Sequence, residues 1–199
     1  MSILATAFVI GRGDILRYSG LAYLIWNLFL AWIPYILSSC CLKKETSVSW
    51  FIAIFIPWML FFPNAIYLVT DILHVASSLP HVLWYDSLIF FLFGLAGLLL
   101  GILSLFQIEE YIKTKTSWIV KEIFVFAICL VSSFGIYLGR FERWNSWDLF
   151  IHPSTLLRHS YAIGMDAGRG GTPFVFIAVF TLFSYSLYKI VIPVINKNA

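Results

Sequence analysis

Charge is scarce in this chain. Of its 199 residues 12% are charged, about half the fraction a water-soluble domain carries, which excludes an ordinary aqueous fold. The basic residues are few and scattered, and the net charge of +3 is too thin to serve a nucleic-acid partner. Cysteine is equally sparse. Cys40, Cys41 and Cys129 lie in apolar segments without metal-ligand spacing, and they report nothing about redox compartment. Phosphate-binding glycine loops, a G-x-S-x-G elbow, a dinucleotide fingerprint and H-E-x-x-H are all missing, which removes the enzyme classes that depend on them. No internal repeat is visible, and the membrane interior holds few polar side chains beyond Asn27 and Asn64. A transporter built from paired halves is therefore disfavoured.

What the chain has is apolar length. It is 61% hydrophobic and 19% aromatic, with a mean hydropathy of +0.90. About 20 apolar residues cross a bilayer as a helix, and five segments qualify: roughly 18–41, 48–70, 87–108, 118–139 and 173–195. The expected fold is an all-α bundle of five transmembrane helices, a single domain over residues 1–199. The apolar residues 1–10 are followed at once by Arg12, Asp14 and Arg17 without a cleavage pattern, so they are expected as an interfacial stub. Pro153 and Ser154 suit the start of a short interfacial helix, STLLRHSYAI, closed by Gly164.

Threading the five spans sorts the ionisable residues by type. All six Arg, five Asp and four His fall on one side, and all seven Lys on the other. The Lys and Arg totals nearly balance, but the loop between spans two and three has neither, which argues that it is outside. The expected topology puts the N-terminus outside and the C-terminus in the cytoplasm of a multi-pass cell-membrane protein.

The residues able to do chemistry gather on the Arg side. Span two ends in FFPNAIYLVTDILH, where Asn64, Tyr67, Asp71 and His74 follow i, i+3, i+7, i+10 spacing and share one α-helical face. Pro57 and Pro63 predict a kink below them. Interhelical hydrogen bonding accounts for Asn64 and Tyr67; for Asp71 with His74, structural and functional roles stand level. Trp84 and Tyr85 fit interfacial anchors, and Asp86 suits the N-terminus of span three. In span three, Gly94, Gly97, Gly101 and Ser104 make a small-residue stripe that packs helices closely. The expected packing is within the monomer, with a homo-oligomer through Gly97 and Gly101 as the alternative.

The densest cluster is LGRFERWNSWDLFIHP. Arg140 and Arg143 are one turn apart, as are Asn145 and Asp148 if the helix continues. Arginine forks bind carboxylates and phosphates bidentately. They also pair with acids such as Asp71, Asp86 or Asp148, and six acids face six Arg on this side. Asp71 with His74 and Asp148 with His152 have spacings open to a cation, but no paired-His motif supports one, and no metal is assigned.

Taken together, FFPNAIYLVTDILH, WYDS and GIYLGRFERWNSWD resemble the bacterial membrane-protein family known as domain of unknown function thirteen-sixty-one. The matching residues are Pro63, Asn64, Ala65, Tyr67, Thr70, Asp71, His74, Trp84, Tyr85, Asp86, Gly139, Arg140, Arg143, Asn145, Ser146, Trp147 and Asp148, with WNLFLAWIPY from Trp26 to Tyr35 also fitting. Ile66 departs from the pattern, where a second Pro is common, and His81, His152 and His159 match none of it. The resemblance implies a multi-pass bacterial membrane protein and brings neither an activity nor a cofactor. The residues themselves suggest recognition of an anionic lipid or cell-envelope precursor by Arg140 and Arg143, with Asn64, Tyr67, Asp86 and Asn145 completing the binding set. An intramembrane enzyme using Asp71, His74 or Asp148 and a structural protein whose cluster only ties helix ends together are the alternatives.

Overall fold

The computed structural model describes residues 1–11, 21–42, 46–78, 80–81, 83–145, 148–165 and 171–197. Its helices are α1 (Ser2–Gly11), α2 (Ala22–Ser39), α3 (Val48–Tyr67), α4 (Leu83–Lys113), α5 (Trp118–Phe141), α6 (Asp148–Ile151), α7 (Pro153–Met165) and α8 (Thr172–Lys197), and among the described residues there is no strand. Two 3₁₀ segments, Cys40–Leu42 and Leu68–Ser77, extend α2 and α3. Four stretches are long and apolar enough to cross a membrane: Val48–Ala76, Leu83–Lys113, Trp118–Phe141 and Thr172–Val194. They carry the second to fifth expected spans. The first is represented by the shorter apolar helix α2 of 18 residues, so among the described residues four helices are long and apolar enough to cross. Residues 18–20 of that span lie outside the described set, as do Arg12, Asp14 and Arg17.

The chain forms two compact units, Met1–Ser117 and Trp118–Ala199. In the first, α2, α3 and α4 pack mutually, and α1 lies against α2 and α4. Ser47 starts α3 by accepting the Trp50 N–H on its hydroxyl at 3.2 Å. At that end Phe51 stacks on Tyr111 of α4 with 4.2 Å between ring centroids. Deeper in, the fully buried Trp58 donates its indole N–H to Ser104 Oγ at 2.9 Å. Ser104→Ala would strand that N–H in an apolar interior, so it is expected to cost about 1 kcal/mol. Thermal unfolding in detergent checks this, and the double variant with Trp58→Phe should lose less than the two single losses combined.

The small-residue stripe of α4 is used inside this unit. A Cβ on Gly97 would stand 2.3 Å from the Ala65 carbonyl oxygen, whereas one on Gly101 or Gly94 would meet its nearest neighbour at 3.4 Å. The backbone of α4 thus approaches α3 most closely at Gly97, as such stripes allow.

The N-terminal segment departs from the expected interfacial stub. Helix α1 is packed along its neighbours, with Ala5 and Val9, one turn apart, fully buried. Trp32 Nε1 donates to Ser2 Oγ at 3.2 Å and Tyr85 Oη donates to the Phe8 carbonyl at 2.8 Å. Two small apolar residues at i and i+4 suffice to seat a helix against α2 and α4.

In the second unit α5 packs on α8. The Glu122 carboxylate ties them, accepting from Lys189 at 2.6 Å and from Tyr185 Oη at 3.0 Å, with Lys121 at 3.4 Å. Buried Ser132, Ser133, Thr181 and Ser184 add small polar side chains to the two helices. Toward the other end Tyr137, Leu138 and Ile163 form a core joined by Phe134, Trp144, Leu156, Phe176 and Ile177, which holds α7 against α5 and α8.

Candidate functional site

The polar stripe at the end of α3 is reshaped by a change of helix type. From Leu68 the chain tightens to a 3₁₀ helix of ten residues, far beyond the three or four such runs usually reach. Thr70 favours the tighter winding by donating its hydroxyl to the Tyr67 carbonyl three residues back at 2.7 Å. With about three residues per turn, Asp71 and His74 come into line, and the single α-helical face expected from Asn64 through His74 is broken at Tyr67. Asn64 instead turns its amide back to the Phe61 carbonyl at 3.2 Å. Tyr67 is half-buried.

Asp71 is 1% exposed and Thr70 beside it 4%. The Asp71 carboxylate accepts from Asn27 Nδ2 of α2 at 3.3 Å. His74 is exposed, with Tyr23 of α2 edge-on to it at 5.7 Å. Asp86, 2% exposed, sits in the first turn of α4, where the free N–H end of the helix favours a negative charge. The first unit thus brings Asp71 to Asn27 and His74 to Tyr23. Asn27 stood out in the sequence as a lone polar residue in a span; nothing in the spacing tied it to Asp71, 44 positions away.

In the second unit α5 carries Arg140 in its last turn, half-buried, and ends at Phe141. Arg143 then takes φ 59°, a left-handed conformation uncommon outside glycine, asparagine and aspartate. This reverses the chain, and the N–H groups of Glu142 and Trp144 both return to the Leu138 carbonyl at 3.2 Å. Arg143 is exposed. Its guanidinium makes no ion pair with a carboxylate of the described residues.

Because α5 stops there, Asn145 and Asp148 do not continue its helix. They do meet, in a new turn: Asp148 Oδ2 accepts the Asn145 backbone N–H at 2.6 Å, and the Asp148 N–H donates to the Asn145 carbonyl at 3.0 Å. That reciprocal pattern starts the short α6 and gives Asp148 a structural task. Ser146 and Trp147 lie outside the described residues, as do Lys43, Lys44, Asp166 and Arg169.

Sequence reasoning missed the contact that anchors this corner. Glu142 Oε2 and His159 Nε2 of α7 are hydrogen-bonded at 2.6 Å, and the Trp144 ring stands 5.9 Å from the His159 ring. His159 matched no element of the family pattern, and its partner lies 17 positions away across a chain reversal; only the odd charge of Glu142 between two Arg hinted at it. Among the described residues no three His, Cys, Asp or Glu side chains converge to hold a metal ion.

A family model described as Protein of unknown function (DUF1361) matches residues 26–187, a stretch that takes in both polar groups. No curated protein and no solved structure matches the chain.

Proposed function

We propose that this chain, which belongs to the DUF1361 family, is a bacterial cell-membrane protein that recognises an anionic ligand at the α5–α7 corner. Arg143 carries the reading: its side chain is exposed and without an ion pair among the described residues, on a backbone held at φ 59°. An arginine kept in so disfavoured a conformation points to a use for its side chain, since glycine would make the same turn without strain. Arg140, in the last turn of α5 and so no longer one helical turn from Arg143, and half-buried Trp144 supply a second cation and an aromatic body suited to the headgroup layer. We take α2, extended by the 3₁₀ turn to Leu42, as a fifth crossing, with the N-terminus outside. Asn145 shapes this corner through its turn with Asp148; Asn64, Tyr67 and Asp86 belong to the first unit and take no part in this reading.

The test compares two substitutions at one position. Arg143→Gly removes the guanidinium and relieves the left-handed strain of about 1–2 kcal/mol; Arg143→Ala removes the guanidinium alone. In detergent without added ligand, Arg143→Gly should melt at or above the wild-type temperature and Arg143→Ala no higher. Phosphatidylglycerol added to the micelles should stabilise wild type, and both variants and Arg140→Ala should bind it about tenfold or more weakly, since a hydrogen bond to a charged group contributes about 1.5–3 kcal/mol. Full retention of the shift in all three variants would remove the site.

A further inference from the structure

We infer that the anionic ligand of this corner is a lipid taken from the bilayer leaflet, and that α7 lies on that leaflet to receive it. The identity of the ligand rests on the anion-binding reading above; the placement of α7 stands on its own observations. At about 100° per residue, Leu156, His159, Ser160 and Ile163 form one stripe of α7, and this is the stripe that is half-buried or buried in the unit. The apolar arc does not stop at the edge of that contact. Leu157 and Tyr161, one turn apart on the adjoining flank, are 67% and 68% exposed, and Ile151 just before the helix is 61% exposed.

An apolar arc wider than its protein partner needs a second apolar medium. Large side chains exposed singly are ordinary, but an exposed pair at i and i+4 beside a packed stripe is the pattern of a helix lying in a membrane interface. The helices that α7 packs on are apolar and exposed at the same end, Phe141 at the end of α5 being 51% and Phe174 at the start of α8 59% exposed. Charge completes the match. Arg158, exposed next to Leu157, can keep its guanidinium among phosphates while its stem lies along the apolar layer, on the helix whose His159 meets Glu142 and Trp144, the two chain neighbours of Arg143. A ligand reaching these arginines from the leaflet brings both an anionic head and an acyl chain.

The full chain in nanodiscs tests this, with a nitroxide at Leu157→Cys, Tyr161→Cys or Ala162→Cys on a Cys40→Ser background. Oxygen should relax the labels at 157 and 161 more than a water-soluble nickel chelate does, with the order reversed at 162. Nickel dominance at all three positions would overturn the placement of α7 while leaving anion binding untouched. The second arm compares phosphatidylglycerol with inorganic phosphate in the thermal-shift assay. Stabilisation by the lipid alone, reduced about tenfold in affinity by Arg158→Gln, supports the inference. An equal shift from inorganic phosphate would identify a water-soluble ligand and defeat the inference, although the Arg143 site would survive. No shift from either anion would defeat both.

Discussion

Gly97→Ala is expected to unfold the first unit or lower its stability by about 3 kcal/mol, whereas Gly94→Ala and Gly101→Ala should each change it by less than about 1 kcal/mol. All three add the same methyl group to the same stripe of α4, so helix propensity and lipid exposure offer no reason for a difference. The difference lies in what the methyl meets. At Gly97 it would stand 2.3 Å from the Ala65 carbonyl oxygen and 2.7 Å from Leu68 Cδ1. Leu68 can rotate; a backbone carbonyl cannot move without displacing the end of α3. Overpacking that forces backbone shifts costs about 1–3 kcal/mol, occasionally more, and here the shift falls where α3 passes into its 3₁₀ extension. At Gly101 the nearest atom would be Ala65 Cβ at 3.4 Å, a tight contact that a few tenths of an ångström relieve. Unfolding temperatures of the three variants in one detergent decide the matter, and equal losses at all three positions would refute the packing described for Gly97.

That stripe was legible in the sequence because small residues every three or four positions have one main use between helices. The helix limits were legible for a similar reason. Apolar runs bounded by KKETS, by EEYIKTKTS and by the polar loops place α3, α4, α5 and α8 within a few residues of where they lie, since hydropathy is summed over many side chains and tolerates local error. The site was legible only as a set of residues. Spacing arguments assume a constant helix type, so the tightening at Leu68, driven by local hydrogen bonding such as that of Thr70, shifted the Asp71–His74 line away from Tyr67. An exposed Arg143 depends on the chain reversing at φ 59°, which no side-chain pattern announces. The pairs Asn27–Asp71, Glu142–His159 and Glu122–Lys189 join residues 44, 17 and 67 positions apart. Composition puts such groups on a side of the membrane; only packing selects partners within it.

Asp71 separates a structural part from a chemical one, and its substitutions should differ sharply. The side chain is 1% exposed and bonded to Asn27. Asp71→Ala removes the acceptor, leaves the Asn27 amide to find another, and opens a space beside Thr70; losing one partner of a buried polar pair costs about 3 kcal/mol. Asp71→Asn keeps the volume and an oxygen that can accept from Asn27 at the same place. If the residue ties the 3₁₀ extension to α2, Asp71→Asn should remain within about 1 kcal/mol of wild type and preserve function in cells. Asn27→Ala should then share most of its loss with Asp71→Ala in a double-mutant cycle. If Asp71 works as an acid or base beside exposed His74, Asp71→Asn should be as stable and yet inactive in cells, because an amide cannot exchange the proton. Unfolding of both variants, read beside complementation of a deletion strain, distinguishes these outcomes. Wild-type stability in Asp71→Ala would overturn the structural role, because a buried carboxylate that ties two segments together cannot be removed without cost.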